Sequence, residues 1–288
     1  MWRGLADQYP PEMRLSRDPL GLAFAPAWGR LAARMTEWVP GARAVFAHGP
    51  LFGLAGWIQL RTRTIDDQVE AFVRAGGQQL VLLGAGYDLR ATRLESLTMG
   101  VTTFEVDHPA TQGHKQDVLA ARGVSPEHVR YLAWDFEQSP AAALPRALAE
   151  IGHDSSHATL TIWEGVVMYL SESAIKSSLA AISAYSAPGS RLVLNYVDRG
   201  RAKAKTPLLM VVRSVGEPYR EGLEPAEVAE FLRAEGWRVE GNWSDVELAK
   251  RHFPPHLAAR FPPRGGWLAL AERQPSAIDA ELLVPRPS

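Results

Sequence analysis

Glycines and acidic residues follow several predicted strands of this sequence, at positions where they could bind a small molecule. The first strand, 79–83, is followed directly by Gly84-Ala85-Gly86-Tyr87-Asp88. Later strand ends carry further acidic or amide side chains, which are Glu105, Asp107, Asp135, Glu164 and Asn195. In an open parallel sheet, ligands bind beyond the carboxyl ends of the strands. Because glycine lacks a Cβ atom, a ligand can approach the backbone of the first turn closely.

The spacing between Gly84 and Glu105 is typical of a site for an adenosine-containing cofactor. An acid about 20 residues after such a glycine turn can accept hydrogen bonds from both ribose hydroxyl groups. Glu105 lies 21 residues after Gly84. Asp107 shares a strand face with Glu105, so the pattern leaves the choice between the two acids open.

The residues after the turn indicate which cofactor binds. Leu89 stands at the third glycine of the G-x-G-x-x-G dinucleotide fingerprint, and Asp88 places a carboxylate where a pyrophosphate would be repelled. A sulfonium and an ammonium would be attracted instead, which favours S-adenosylmethionine. Arg61 is then a candidate partner for the methionine carboxylate. A nicotinamide-dependent oxidoreductase is the alternative from another class, although the sequence has no Tyr-x-x-x-Lys pair to support it.

The elements that position these residues form an α/β pattern. Between residues 65 and 190, apolar runs alternate with helical periodicity, which predicts a doubly wound parallel sheet. The predicted helices are a three-turn helix from Ile65 that ends at Gly76-Gly77, then 110–122, 172–185 and one around Val228. The predicted strands are 79–83, 101–107, 129–134, 158–163 and 191–197. Two further strand-like runs, 237–243 and 266–272, suit a hairpin that closes the sheet.

The chain divides into a cap and a core. Residues 1–60, a segment rich in bulky apolar side chains, are broken by Pro19, Pro26, Pro40 and Pro50, which predicts short helices in a substrate lid. We expect the cofactor-binding core at 61–275, a substrate-side insertion at 198–222 and a loose C-terminal tail at 276–288. Three tryptophans of the cap either line a pocket or belong to the core: Trp28, Trp38 and Trp57.

Composition excludes several classes of function. The 288 residues include 31 Lys and Arg against 32 Asp and Glu, which gives a formal net charge of −1. The chain therefore has no excess of positive charge that would favour binding to nucleic acid or to an anionic membrane surface. The absence of cysteine removes disulfides, thiolate nucleophiles and Cys-ligated metals. No apolar run approaches the roughly 20 residues needed to cross a bilayer, and the first residues lack the apolar core of a signal peptide. We expect a cytoplasmic monomer or homodimer.

Five sequence blocks carry a family resemblance. They are RTRTIDD (61–67), GAGYDLRATRL (84–94), FEVDHPATQGHKQ (104–116), WDF (134–136) and EGVVMYL (164–170). In this order they resemble the leucine carboxyl methyltransferase family, which includes the protein phosphatase carboxyl methyltransferase and tetracenomycin-type polyketide O-methyltransferases. The resemblance runs from Asp18 to the last strand. It implies a Rossmann-like class I methyltransferase with a seven-stranded sheet, which uses S-adenosylmethionine and releases S-adenosylhomocysteine.

The resemblance also implies a role for each matching residue. Its cofactor-binding set is Arg61, Gly84, Gly86, Glu105, Asp107, Asp135, Phe136 and Glu164. Arg61 binds the methionine carboxylate, either Glu105 or Asp107 holds the ribose, and the two glycines form the close-approach turn. Asp135 contacts the adenine amino group and Glu164 lies beside the methionine ammonium. Two structural alternatives stay open, namely that Asp135 caps a helix and that Glu164 pairs with Arg61.

The chemical class of the methyl acceptor decides whether the enzyme must activate the nucleophile. Transfer from a sulfonium is an in-line displacement, which requires alignment and exclusion of water. A carboxylate needs no base, whereas a phenol usually does. Tyr169 and His108 are candidate positioning residues, and the candidate acceptor contacts are Tyr196, Arg199, Arg213 and Tyr219. We expect a methyl ester on a small, polyketide-like acid; the alternatives are a phenol, hydroxyl or nitrogen acceptor, and a protein that binds the cofactor without catalysis.

Two histidine pairs raise the question of a metal. His153 and His157 lie in a predicted loop without a third ligand. His252 and His256 enclose two prolines, so they cannot share a regular helix. We predict that no metal is needed.

Overall fold

A computed structural model describes residues 3–5, 9–38, 52–203 and 222–275 of the chain. Its centre is a seven-stranded sheet in the order β3-β2-β1-β4-β5-β7-β6. The strands are β1 (Gln79–Leu83), β2 (Thr102–Asp107), β3 (Val129–Ala133), β4 (Thr159–Trp163), β5 (Arg191–Val197), β6 (Trp237–Ser244) and β7 (Gly266–Arg273). The first five pair in parallel, whereas β7 is antiparallel to both β5 and β6. The predicted doubly wound sheet with an antiparallel C-terminal hairpin is confirmed.

Helices cover both faces of the sheet. They are α1 (Ala27–Trp38), α2 (Phe52–Arg74), α3 (Arg90–Arg93), α4 (Glu95–Thr98), α5 (Pro109–Ala120), α6 (Leu144–Glu150), α7 (Glu172–Ala184), α8 (Arg199–Lys203), α9 (Pro225–Ala234), α10 (Asp245–His252) and α11 (Pro255–Ala258). Short 3-10 helices occur at Pro11–Met13, Gly21–Phe24, Ala141–Ala143 and Val167–Tyr169.

The central strands divide the apolar core into two layers. All five residues of β1 are buried, and so are those of β4, as expected for strands that are covered on both faces. Leu80 and Leu82 pack into one core cluster, whereas Val81 and Leu83 pack into the other. This alternation follows from the two-residue period of a strand. Because β2 pairs with one side of β1 and β4 with the other, the strand order reverses between β1 and β4, which opens a crevice at their carboxyl ends.

The helix α2 departs from the prediction. It begins at Phe52 rather than at Ile65, so the predicted boundary at residue 60 falls inside it and Arg61 lies near its middle. The sequence pattern did not predict these turns because their apolar residues do not recur with the 3.6-residue period of an amphipathic helix. They are nevertheless helical because the segment lacks proline and is buried on several sides, including Trp57, which packs in the core against Gly266. Trp38, by contrast, is exposed, and the Trp28 side chain lies outside the described residues.

A buried ion pair connects β2 to α5. The side chains of Glu105 and Lys115 are each 2% exposed, and Lys115 Nζ lies 2.7 Å from Glu105 Oε2. The same ammonium donates to the carbonyl oxygen of Asp88, after the glycine turn. Burial raises the pKa of Glu105, and the charge of Lys115 opposes that change. Lys115 therefore holds β2, α5 and the turn together.

Replacement of Lys115 by Met should leave the Glu105 carboxylate buried without a partner. We expect Lys115→Met to lower the free energy of unfolding by about 3–5 kcal/mol, measured by urea denaturation. Lys176→Met, which breaks an exposed pair with Glu172, should cost at most about 1 kcal/mol. Adding Glu105→Gln to Lys115→Met should restore part of the loss. Equal effects of the two lysine replacements would contradict a structural role for the buried pair.

Candidate functional site

A cavity of about 270 Å³ opens at the crevice between β1 and β4. Its walls come from the turn after β1, from α2, from the loop after β4 and from the N-terminal segment. The described part of the N-terminal segment contributes Arg3, Asp18 and Gly21 to this wall. The cavity thus lies where open α/β sheets bind their ligands.

The turn after β1 has the backbone geometry that the two glycines were expected to provide. Gly84 and Gly86 adopt φ values of +72° and +48°, which side chains rarely tolerate. The amide groups of Gly84 and Ala85 donate to the carbonyl oxygen of Val106 at 2.9 and 3.1 Å. A Cβ atom on Gly84 would lie 2.5 Å from Val166 Cγ2. The turn is therefore anchored to β2 and leaves no room for a side chain at Gly84.

Packing separates the two acids of β2 that the sequence pattern could not separate. The Glu105 carboxylate is buried and paired with Lys115. Asp107 is only partly buried at the strand end, where one oxygen accepts from the Gly86 amide and the other from the His108 amide at 2.6 Å. Of the two candidates, Asp107 is the acid that lies against the glycine turn.

The carboxylate of Glu164, after β4, is shared by three arginines. Its Oε1 lies 2.7 Å from Arg61 Nε and 2.6 Å from Arg3 Nη2, and its Oε2 accepts from Arg90 Nη1 at 2.7 Å. Burial acts to raise the pKa of Glu164, but the three guanidinium groups lower it well below its usual value. The sequence-based alternative in which Glu164 pairs with Arg61 therefore describes this geometry.

Two of these arginines were not among the residues predicted for the site. Arg90 is completely buried and also pairs with Asp88 and with Asp66, whose Oδ1 lies 2.8 Å from Arg90 Nε. Its position in the GAGYDLRATRL block, two residues after an acid, was an available indication of a buried charge. Arg3 reaches Asp88 Oδ2 at 3.1 Å from the N-terminal segment, where no sequence pattern marked it.

Phe136 lines a second cavity, and Asp135 precedes it in the chain. Asp135 Oδ1 accepts from the amides of Glu137 and Gln138 at 2.9 and 3.2 Å, so this acid caps a turn and not a helix. Phe136 lines a cavity of about 160 Å³ together with Trp134, Trp163 and Leu83, and Leu83 also borders the larger cavity. The apolar walls and the adjacent carboxylate suit a flat, partly polar ring.

The two candidate positioning residues lie near the site but do not line the larger cavity. His108 is exposed and caps α5, with its Nδ1 accepting from the Ala110 amide at 3.3 Å and its Nε2 4.0 Å from Asp135 Oδ2. Tyr169 packs against a small cluster formed by Met168, Val197 and Ala202. His108 therefore caps a helix, and Tyr169 belongs to a small apolar cluster.

The predicted acceptor contact at Tyr196 is wrong. The ring is buried and stacks on Trp267, its hydroxyl donates to Asn242 Oδ1 at 2.8 Å, and burial raises its pKa. Because side chains alternate along β5, it is Asn195 that faces the loop after β4, where its Oδ1 accepts from the Gly165 amide at 2.6 Å.

The insertion residues give little support for an acceptor site. Arg199 forms an ion pair with Glu227 of α9 at the protein surface, where both side chains are partly exposed to solvent. Arg213 and Tyr219 lie outside the described residues.

The histidine pairs have structural partners. His153 is buried between the rings of Phe104 and Tyr185, and burial lowers its pKa to about 4. His157 pairs with Asp154, and His252 Nε2 lies 3.0 Å from Thr64 Oγ1. Within residues 3–5, 9–38, 52–203 and 222–275, no three His, Asp or Glu side chains form a group that could hold a metal ion. No helix in these ranges is long and apolar enough to span a membrane.

Sequence comparison finds similar proteins in several bacterial species that carry a functional name. A protein of Frankia alni and one of Streptomyces coelicolor are each 38% identical over 190 residues, and both are provisionally named S-adenosyl-L-methionine-dependent methyltransferases. These matches cover 66% of this chain and 64% of each relative. A similarly named protein of Mycolicibacterium vanbaalenii is 32% identical over 232 residues, which cover 74% of each chain.

Structural comparison shows the same fold at low identity. A DUF574 family protein from Streptomyces avermitilis is 14% identical with a TM-score of 0.61, over 93% of this chain and 99% of the other. A protein from Thermobifida fusca, provisionally named a methyltransferase, is 16% identical with a TM-score of 0.57, over 94% and 97%.

The family is decided by a sequence profile rather than by the fold. The profile of the leucine carboxyl methyltransferase family matches residues 1–183, more than half of the 288 residues. The matched segment contains β1 to β4, the glycine turn, Arg61, Asp107 and Glu164. This match and the named relatives support a methyltransferase and not the alternative of a nicotinamide-dependent oxidoreductase. The chain belongs to the leucine carboxyl methyltransferase family.

Proposed function

We propose that this chain is an S-adenosylmethionine-dependent O-methyltransferase that forms a methyl ester on the carboxylate of a small organic acid. The observation that carries the proposal is the glycine turn, which lies at the edge of a cavity between the acid Asp107 and the buried ions of Arg61 and Glu164. Membership of a carboxyl methyltransferase family supports both the cofactor and the type of acceptor.

The residues present fit the cofactor at each of its polar ends. Asp107 would accept hydrogen bonds from the ribose hydroxyls, because its carboxylate lies against the glycine turn, where it accepts from the Gly86 amide. The cavity lined by Phe136 would hold the adenine ring, and Asp135, the preceding residue, would accept a hydrogen bond from the adenine amino group. Arg61 and Arg3 would bind the carboxylate of the amino-acid end. When bound, the cofactor supplies the methyl group on a sulfonium and leaves as a neutral thioether.

The protein's own contribution to the reaction is alignment and exclusion of water. A carboxylic acid is already ionised at neutral pH, so no residue has to remove a proton from it. Burial of donor and acceptor against the walls of the cavity would keep water from competing for the methyl group. In this proposal His108 and Tyr169 act by position, through the cap of α5 and through packing beside the loop after β4.

An aromatic side chain at the cavity suggests that the acceptor carries a flat ring system. Tyr87 lines the cavity, is 39% exposed and stacks on Phe24 with 4.8 Å between the ring centroids. The His114 ring meets Tyr87 edge-on at 5.7 Å. A flat, polyketide-like acid would pack against this exposed ring, with its carboxylate directed into the cavity.

Arg61→Ala should weaken the binding of S-adenosylhomocysteine, because the ligand carboxylate loses a charged partner. We expect a loss of about 2–4 kcal/mol by isothermal titration calorimetry. Arg63→Ala, on the exposed side of the same helix, is the matched control and should bind as the wild type does. Unchanged affinity in Arg61→Ala would refute the assignment of Arg61.

Gly86→Val should prevent binding of the cofactor while the sheet stays folded. The nearest atom to a Cβ at Gly86 is Asp107 Oδ2 at 3.9 Å, so the new side chain would occupy the ligand's approach rather than clash with protein. Gly100→Val has similar backbone strain at φ +94°, away from the cavity, and should keep normal affinity. If both variants bind S-adenosylhomocysteine equally well, the close-approach role of the turn is wrong.

The pH dependence of the rate distinguishes a carboxylate acceptor from a phenol. With a panel of aromatic and polyketide-like acids, kcat/KM for ester formation should be level between about pH 6 and pH 9, because the acceptor is ionised throughout. His108→Ala and Tyr169→Phe should lower the rate without changing the shape of this profile. Turnover of phenols alone, with a rate that rises towards their pKa, would contradict the ester proposal.

A further inference from the structure

Asp18 is a buried acid that lines the larger cavity and has no partner among the described residues. It lies in the N-terminal segment just before the 3-10 helix Gly21–Phe24, and only 5% of the residue is exposed. Its backbone carbonyl accepts from the Gly21 amide at 3.1 Å, but no described residue donates a hydrogen bond to either carboxylate oxygen. Buried polar atoms are nearly always hydrogen-bonded, so this exception requires an explanation.

The other acids of the cavity wall, by contrast, form ion pairs with arginines. Glu164 is shared by three guanidinium groups, and Asp88 pairs with Arg3 and Arg90. The charges of Arg3 and Arg90 lower the pKa of Asp88 even though burial acts to raise it. For Asp18 the balance is the reverse. Burial raises its pKa, and the more distant charges of Arg93 and Arg3 oppose that rise only in part.

Among the cations at this cavity, Arg61 is the one with too little compensation. Its single ion-pair partner among the described residues is Glu164, which it shares with two other arginines. Burial lowers the pKa of Arg61, whereas the charges of Asp88 and Glu164 raise the pKa of Arg3 and of Arg90 despite their burial. The cavity wall therefore contains one undercompensated anion and one undercompensated cation.

A zwitterion is the ligand that satisfies both. Among the described residues, the buried cluster has four cations, Arg3, Arg61, Arg90 and Arg93, and four anions, Asp18, Asp66, Asp88 and Glu164, so a ligand group without net charge leaves their charge balance unchanged. An α-amino acid group carries an ammonium and a carboxylate on one carbon atom. We infer that Asp18 binds the α-ammonium group at the amino-acid end of the cofactor, while Arg61 binds the neighbouring carboxylate.

This inference, which rests on the proposed function, moves the ammonium away from Glu164. The family resemblance implied that Glu164 lies beside the ammonium. A fourth cation at Glu164 would meet the guanidinium groups of Arg3 and Arg61, which already lie 2.6 and 2.7 Å from Oε1. Like charges at that distance repel, and the repulsion is poorly screened in a buried site. Asp18 offers an ammonium two oxygens that accept no hydrogen bond from a described residue.

The unpaired carboxylate has a consequence for the free protein. A buried charge without a partner destabilises the folded state, so the isosteric amide should be more stable than the acid at neutral pH. Asp18→Asn should therefore melt at a higher temperature than the wild type in the absence of ligand. A residue that served only the fold would show the opposite change.

The decisive measurement is a thermodynamic cycle in which the charge of Asp18 and the α-ammonium group of the ligand are removed separately and together. Wild type, Asp18→Asn and the exposed control Asp67→Asn are each titrated calorimetrically with S-adenosylhomocysteine and with its deamino analogue, in which hydrogen replaces the α-ammonium. We expect Asp18→Asn to bind S-adenosylhomocysteine about tenfold more weakly or worse. It should bind the deamino analogue as the wild type does, and Asp67→Asn should match the wild type with both ligands.

Several outcomes would overturn the inference. Equal losses for the two ligands, or no loss for either, would show that Asp18 does not contact the ammonium. An Asp18→Asn variant that melts at a lower temperature or fails to fold would identify Asp18 as a structural residue. Normal binding combined with a pH-dependent loss of turnover would make it a base for the acceptor. If the wild type binds neither S-adenosylhomocysteine nor S-adenosylmethionine, the proposed function itself is wrong.

Discussion

The structure of this site depends on the sharing of one buried carboxylate by three guanidinium groups. Glu164 follows β4, whereas Arg3, Arg61 and Arg90 come from the N-terminal segment, from α2 and from the helix after the glycine turn. Removing such charges from water is costly unless each finds a partner. The four elements are therefore held in one arrangement, and the cavity they enclose takes its shape from the ion pairs at its wall.

The same constraint would explain how the proposed site recognises an amino-acid group. Charges that pair with one another hold the wall in place, while Asp18 and Arg61 retain unsatisfied charge toward the cavity. Such preorganisation costs stability in the free protein and reduces the reorganisation needed on binding. At the other end of the turn, Asp107 fixes the Gly86 amide, so the cofactor-facing backbone is also set before a ligand arrives.

Local patterns predicted much of this fold, and distant contacts account for the differences. Strands β1 and β5 have the predicted bounds, because apolar runs between glycine or proline breaks are readable from neighbouring residues alone. The start of α2 was missed because its first turns are buried by β7 and by the C-terminal helices rather than by one face of the core. Tyr196 was misassigned because its partner, Asn242, lies 46 residues away.

The sequence by itself determined the type of fold, the glycine turn and the family, since these depend on residue types at short, fixed spacings. Only the tertiary structure decided which acids remain available to a ligand. Glu105 and Asp107 are equivalent in the sequence, yet Lys115 neutralises the first and leaves the second at the cavity edge. Asp18 lies unpaired beside the crevice because the N-terminal segment folds over it. Charge compensation depends on distances in space, which residue order does not specify.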